Sequence, residues 1–398
     1  MDFALSQEDN QFRQEVRDFM ATELPDDWKG IPWVGEPAEE TEEALQFAKS
    51  FTNRMRDRGW LTMHWPVEYG GEGASPTKQL IVAEEVGYAN APLIDIYGPS
   101  IVGLTLINFG TEEQKKEHLP KIKGGEVLWT QGFSEPDAGS DLASLRTSAK
   151  EEGDFFILNG QKTWSSVAHF ADWMFLLVRT DPDAEKNYKG ISLLYVDMKT
   201  PGITTRPIIN IAGGHTFNEV FFDDVKVPKD YLIGERNKGF YIAMASLDYE
   251  RSGGIQRAAQ NKRTIDNLVK YVNERKRAGE TIPDEALVRE RLAQSAIDVE
   301  ISRLLGYRII HEQSKGEQVT YEASMQFAFM ADLTKRLNRL STQILGLYGQ
   351  LGMKSEWAHM HGVEQRAYLH TPAFSLAGGT TEIQRNVVAW RGLGLPRV

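Results

Sequence analysis

The segment Gly132–Ser144 reads GFSEPDAGSDLAS. Glycine, proline, aspartate and serine at this density make a turn-rich loop, and what flanks it sets the architecture. From about Glu126 to Pro228 the apolar residues fall in short or alternating runs separated by turn residues. Phe155–Leu158, Trp173–Val178, Ile191–Val196 and Glu219–Val227 are such runs, and they predict strands. From the N-terminus to about Lys123 apolar residues recur instead at helical spacing, broken by clusters such as WPVEYGGEG at 65–73. Helical spacing returns after Gly239. One stripe is Ile265, Leu268, Val269 and Val272, a second is Ile297, Ile301, Leu304 and Leu305, and a third is Leu333, Leu337, Leu340 and Ile344; Arg277–Asp284 reads as a loop between helices. Helix, sheet and helix in successive blocks predict an α+β multidomain protein and not an alternating βαβ fold. The blocks are an N-terminal helical domain over 1–125, a central antiparallel β domain over 126–235 and a C-terminal four-helix bundle over 236–398.

A chain of 398 residues with 41% hydrophobic side chains has ample material for a buried core. The net charge of −11 is spread along the sequence, as in the run Glu36–Glu43, and no basic stripe could track a nucleic-acid backbone or an anionic membrane. Neither nucleic acid nor membrane insertion is expected. Purely apolar runs are far too short for a bilayer, and the acidic start MDFALSQEDN has neither part of a secretory signal, so a cytoplasmic protein is expected. The absence of cysteine removes disulfides, thiolate nucleophiles, iron–sulfur ligation and cysteine-bound zinc. Redox chemistry here requires an organic cofactor.

Two further segments carry chemistry. Asn159–Ser166, NGQKTWSS, offers an Asn-Gly type I′ hairpin turn and then a strand on which Trp164 and Ser166 point the same way. Ala377–Arg385 reads AGGTTEIQR. Alone, the first segment could be an ordinary polar loop and the strand tryptophan plain core. Together, in order and spacing, the three resemble the signatures of the acyl-CoA dehydrogenase family, with weaker similarity over almost the whole chain. Gly110–Lys115 with Leu119 and Pro120 resembles the helix and turn preceding the family's flavin loop and carries no catalytic role. The resemblance implies FAD, with Gln131, Phe133 and Ser134 facing the isoalloxazine, and Gly139 and Ser140 along the cofactor, Ser140 also meeting substrate. It places Trp164 on the flavin ring and Ser166 at its edge. Close-approaching amides and the hydroxyls of Ser134 and Ser140 suit flavin carbonyls and a pyrophosphate. Phe133 departs from the family, where a smaller aliphatic residue is usual.

Many members carry the catalytic glutamate where this chain has Gly378. A minority, similar to isovaleryl-CoA and long-chain dehydrogenases, place it on a bundle helix immediately before an arginine, and this chain has DYER at Asp248–Arg251. The resemblance therefore implies Glu250 as the base, Arg251 orienting it, Asp248 and Arg251 on the CoA and substrate side, and Gly378 acting through its main-chain NH. Without the resemblance, Glu250 is a solvated helix glutamate. The implied reaction is α,β-dehydrogenation of an acyl-CoA thioester, with electrons passing to an electron-transfer flavoprotein.

Across the subunit interface of a homotetramer, the family presents further cofactor contacts. Here Arg275 survives, but RAG replaces the expected TFG and no matching glutamine follows. Gln343 and Gly346 in QILGLYG match contact positions, with Leu347 replacing a second glycine, and Thr380 and Glu382 match further ones. These departures are similar to dehydrogenases of steroid-side-chain, cyclic or dicarboxylic acyl-CoAs, some built from two kinds of subunit, so a homotetramer or a heterotetramer with a paralogous subunit is expected. The alternatives are an oxidase or another flavin enzyme on the same fold, or a non-catalytic subunit of a heteromeric dehydrogenase.

Overall fold

The computed structural model describes residues 5–28, 30, 42–95, 97–249, 253–282, 284–316 and 319–397. Its N-terminal helices are α1 (Gln7–Glu23), α2 (Glu42–Asp57), α3 (Pro76–Ala89), α4 (Gly103–Phe109) and α5 (Glu112–Gly124). Strands follow as β1 (Trp129–Gly132), β2 (Ser148–Glu152), β3 (Phe155–Ser166), β4 (Trp173–Arg179), β5 (Ile191–Asp197), β6 (Ile203–Ile208) and β7 (Phe217–Pro228). The remaining helices are α6 (Gly239–Tyr249), α7 (Gly253–Arg277), α8 (Glu285–Ser314), α9 (Glu322–Leu345), α10 (Val363–His370) and α11 (Thr381–Val387). The order is the expected helix, sheet, helix. Caps are written locally: Ser75 accepts from Lys78 N ahead of Pro76 on α3, and Thr111 with Gln114 forms a reciprocal capping box on α5.

The chain forms two compact units, one from Met1–Val34, Ala74–Pro92 and Arg251–Val398, the other from Gly35–Gly73 and Leu93–Glu250. In the second, seven strands make one sheet in the order β1-β4-β2-β3-β7-β6, with β5 paired to β4. Pairing is antiparallel except for β1 on β4 and a single contact of β2 with β4. The unbroken apolar runs of β4 and β5 follow from burial on both faces. Met174, Leu176, Val178, Leu194 and Val196 pack with Phe156, Leu158, Val220 and Val225. Phe175, Leu177, Leu193 and Tyr195 pack instead with Trp65, Leu106, Ile122 and Ile242.

Asn159-Gly160 is not a hairpin turn. The reversal between β2 and β3 falls at Gly153-Asp154, which leaves Glu152 paired with Phe155. Asn159 and Gly160 lie inside β3, where the register against β7 shifts between Leu158 and Gly160. Asn159 reaches across the ladder, donating to Asp224 Oδ1 at 2.9 Å and accepting from Asp224 N at 3.0 Å. Gly160 has φ 147°, and a Cβ there would come within 2.7 Å of Thr147 Cα, so glycine serves a bulge and a close approach, not a turn.

The first unit is a helical bundle. The stripes Ile265 and Leu268 on α7 and Leu333, Leu337, Leu340 and Ile344 on α9 meet in its core, and α7 gives way to α8 across the expected loop. Two expectations fail. Val269 is 41% exposed, and the α8 stripe lies outside the core, with Ile297, Ile301 and Leu304 at 55%, 40% and 38% exposed. The buried face of α8 is Leu292, Val299, Ser302, Gly306 and Ile309. Helices from the N-terminal segment also join this unit: Arg13 of α1 donates to Glu84 of α3 at 2.6 Å and to Tyr307 of α8 at 3.2 Å.

His118 on α5 is fully buried among Trp129, Trp173 and Tyr195, with ring centroids 5.4, 5.0 and 4.7 Å away, and neither ring nitrogen has a hydrogen-bond partner. Burial pushes its pKa down from 6.5 to about 4, only partly offset by Glu117. The folded state therefore resists a proton that the unfolded chain accepts, so stability is full above pH 6.5 and is lost as pH falls toward 4. For this group the loss reaches about 3 kcal/mol. His118→Phe is expected to raise the urea midpoint at pH 7 and to flatten its decline at pH 5; an unchanged acid slope would show that His118 is not the group responsible.

Candidate active site

Thr130–Glu135 and Lys162–Ser166 run side by side. Thr130 Oγ1 donates to Ser166 O at 2.6 Å, Thr163 N to Ser134 O at 2.9 Å, and Lys162 Nζ to Phe133 O at 3.1 Å. Gln131, Phe133 and Ser134 are thereby held beside Trp164 and Ser166. A buried ion pair underlies the stitching. Lys162, fully buried, reaches Glu135 Oε1 at 2.8 Å, and the carboxylate also accepts from Arg146 N at 2.6 Å and Thr147 N at 2.8 Å. Burial is the largest influence on Glu135 and opposes its charge, yet Lys162 and these donors hold it below the usual carboxylate range. Burial draws Lys162 down to about 8 against the pull of Glu135, so the pair is ionic at neutral pH. Neither residue stood out in the sequence, although both lie inside the two motifs.

The residues of this cradle do not all behave as expected. Phe133 is 6% exposed and packs on Phe175 at 5.6 Å, so only its main chain is left to face a cofactor. Trp164 and Ser166 do not share a face. A register shift between Lys162 and Ser165, with Trp164 at φ 60°, interrupts the alternation, leaving Trp164 58% exposed and Ser166 9%. Trp164 stands edge-on to Phe217 at 5.7 Å. Gly139 and Ser140 are exposed at the loop tip, with open space where a Gly139 Cβ would stand. Gln131 Nε2 is buried without a hydrogen-bond partner. An unmatched donor, an open loop and a largely uncovered indole suit a planar heterocycle bearing carbonyl acceptors, and so these residues fit the isoalloxazine of FAD.

The C-terminal loop is fastened separately. Gly378 and Gly379 have φ 68° and 89°. Gln384 Nε2 donates to Gly378 O at 3.0 Å, Thr380 Oγ1 accepts from Ile383 N at 3.2 Å as the cap of α11, and Glu382 is exposed in that helix's first turn. A Cβ on Gly378 would meet only the Phe327 ring, at 3.5 Å, so the space tolerates a side chain while the backbone disfavours one. Glu250 and Arg251 lie outside the described residues, as does the side chain of Asp248 on the last turn of α6.

At the far end of α7, Arg275 pairs with Glu280 of its own chain and lies 5.8 Å from the centre of the Tyr271 ring. The Tyr271 hydroxyl is 2.7 Å from His359 Nδ1, and His359 stacks on Tyr348 at 3.7 Å. His359, which carried no sequence signal, thus joins this end of α7 to the segment after Gly346, where α9 stops with φ 60°. Gln343 Oε1 accepts from Arg291 Nη1 at 2.9 Å, and Leu347 is 82% exposed. Among the described residues no helix is long and apolar enough to cross a membrane, and no group of three or more histidines and carboxylates could hold a metal ion.

The chain matches three family models: the N-terminal domain of acyl-CoA dehydrogenase over residues 6–126, the middle domain over 130–225 and the C-terminal domain over 237–393. The acyl-CoA dehydrogenase IpdE1 of Mycobacterium tuberculosis is 35% identical over 398 residues, covering 98% of this chain and 99% of that protein. Among solved structures, the Tcur3481-Tcur3483 steroid ACAD superposes with a TM-score of 0.89 at 32% identity, covering all of both chains. The ChsE4-ChsE5 complex of Mycobacterium tuberculosis does so with a TM-score of 0.87 at 30% identity, again over the whole of both chains.

Proposed function

This chain belongs to the acyl-CoA dehydrogenase family of FAD-dependent oxidoreductases, and on that premise we propose that it converts an acyl-CoA to the 2-enoyl-CoA with Glu250 as the base. The α-proton of a thioester is weakly acidic and must leave as a hydride departs from the β-carbon, which calls for one carboxylate held at the α-carbon. Glu250 takes that proton, and Arg251 orients it. The main-chain NH of Gly378 donates to the thioester oxygen as negative charge grows there. Gln131 and Ser134 grip the flavin edge, Trp164 covers its face, and Ser140 and Asp248 meet the substrate. When bound, FAD supplies the acceptor for the hydride, and the electrons leave to an electron-transfer flavoprotein.

The observation that carries this reading is Gly378: a glycine in left-handed backbone denies the loop an acid, and Glu250 is the carboxylate at the family's other base position. The space beside Gly378, bounded by Phe327, and the steroid ACAD likeness favour a branched, cyclic or otherwise bulky acyl group. The uncovered stripe Ile297, Ile301 and Leu304 on α8 supports assembly into a tetramer with like or paralogous subunits. Arg275 engaged by Glu280 and Gln343 held by Arg291 leave two of the family's cross-subunit cofactor contacts occupied within this chain, which favours a second reading, a non-catalytic subunit of a heteromeric dehydrogenase.

The test is a panel of straight, branched and cyclic acyl-CoAs added anaerobically to the purified protein. A yellow protein whose colour bleaches and returns only slowly in air is the expected result. Fast return would make it an oxidase. A colourless protein that takes up FAD only beside a partner subunit would replace the dehydrogenase with the non-catalytic reading.

A further inference from the structure

Beside the strand segment that carries Trp164 and Ser166 stand two imidazoles that the proposed reaction leaves unused. His169 follows β3, His215 precedes β7, and their rings stack with centroids 3.9 Å apart and 14° between planes. Asn218, 1% exposed, meets both: its Oδ1 is 2.9 Å from His215 Nε2 and its Nδ2 is 3.0 Å from His169 Nδ1. The same Nδ2 donates to Ser165 O at 3.1 Å. Ser165 is the ladder partner of Asn218 and lies between Trp164 and Ser166, where the register slips. Val167 N donates to Thr216 O at 2.8 Å and Trp164 stands edge-on to Phe217, so the strip 164–167 rests on 216–218.

The bond to Ser165 O decides the protons of the cluster. A carbonyl only accepts, so the amide turns its NH2 toward Ser165, and both hydrogens are then used, one on Ser165 O and one on His169 Nδ1. His169 Nδ1 therefore carries no hydrogen, while His215 Nε2 donates to Asn218 Oδ1. A proton arriving on His169 sets N–H against N–H. The clash resolves only by parting the ring from the amide or by turning the amide, and a turned amide sets its oxygen against Ser165 O. Either response undoes the clamp. Among the described residues no carboxylate acts to offset the added charge. His215 repels it, Asp172 on the same segment accepts from Leu128 N and Lys199, and Glu219 beside Asn218 accepts from Gln161. Burial and then His215 bring His169 down to about 4, against a weaker pull from Asn218. The clamp is thus complete above the ring's ordinary 6.5 and is lost as pH falls toward 4.

We propose that Asn218 is a positioning residue for the flavin-binding strip, locked in one amide orientation by the stacked His169 and His215, and that a proton on His169 unlocks it. The effect on flavin rests on the cradle reading above; the lock itself does not.

In the experiment the FAD-loaded protein is diluted at pH 8 and at pH 5, and flavin release is followed by its returning fluorescence. At pH 5 a freed imidazole is almost fully protonated and the clamped one only about one-tenth so, which makes release about 30-fold faster than at pH 8. His169→Asn places an oxygen where Nδ1 stood and cannot take the proton, so its two rates are expected to agree within about threefold. His118 titrates in the same range but is common to both proteins, so their difference reads His169 alone. Hydrogen exchange over 164–170 of the same loaded proteins, corrected for the intrinsic effect of pH, reports the lock independently of release. Equal acceleration in wild type and variant overturns the proposal, as does a wild type that neither opens nor releases faster in acid. Opening without faster release would keep the lock and remove flavin from this strip; faster release without opening would keep the flavin and remove the lock. Should His169→Asn fail to hold FAD at pH 8, Asn218→Asp decides. Lacking an NH2 for Ser165 O, it is expected to release flavin at pH 8 about as fast as the wild type does at pH 5, and release as slow as the wild type's at pH 8 would overturn the clamp.

Discussion

Glu250→Gln is expected to keep its flavin and bind acyl-CoA, yet to bleach about 10³-fold more slowly than the wild type. The amide preserves the volume and most hydrogen bonds of the carboxylate but cannot take the α-proton, so the loss should appear in kcat, with little change in ligand affinity. The alternative acid position is closed: residue 378 is glycine, at φ 68°. Returning the acid to that loop with Gly378→Glu in a Glu250→Gly background meets only the Phe327 ring at ordinary contact distance, although the left-handed backbone costs roughly 1–2 kcal/mol. A fraction of the lost rate is therefore expected to return in the double variant. Near-normal single-turnover bleaching by Glu250→Gln would mean that another group removes the proton.

Periodicity recovers elements more surely than it recovers which face of an element is buried. The runs in β4 and β5 could be read because burial on both faces leaves them apolar throughout. The α8 stripe shares the helical spacing of the buried stripe of α9, but it faces away from this chain's core; spacing does not distinguish an apolar stripe left exposed from one covered by the same chain. Asn159-Gly160 has the residue types of a hairpin turn and serves a bulge, since Gly160 answers to Thr147 across the sheet and such a long-range approach leaves no local trace. The same holds for Trp164. Two-residue alternation presumes an unbroken ladder, and the shift after Lys162 turns the indole outward. Of the site, the motif segments were legible and their joining was not, because charged residues in polar segments read by default as solvated. Glu135 and Lys162 are the buried clasp between those segments.

That clasp makes Lys162→Met the most damaging change expected in the second unit. The lysine is fully buried and bonds both Glu135 Oε1 and Phe133 O, so its removal leaves a buried carboxylate without its ion-pair partner, held by Thr147, the Arg146 amide and the more distant charge of Arg179. Leaving one partner of a buried pair uncompensated costs about 3–5 kcal/mol. Because Phe133 O loses its donor as well, the strip carrying Gln131 and Ser134 should drift from Trp164, and flavin should be lost during gel filtration. Pairing Lys162→Met with Glu135→Gln removes the stranded charge while keeping an acceptor for the two amides, and much of the stability should return. Flavin retention should not return with it, since Phe133 O remains without the lysine. Recovery of both together would reduce the pair to a stability element, and unchanged stability in Lys162→Met would show that the buried charge is compensated by other groups.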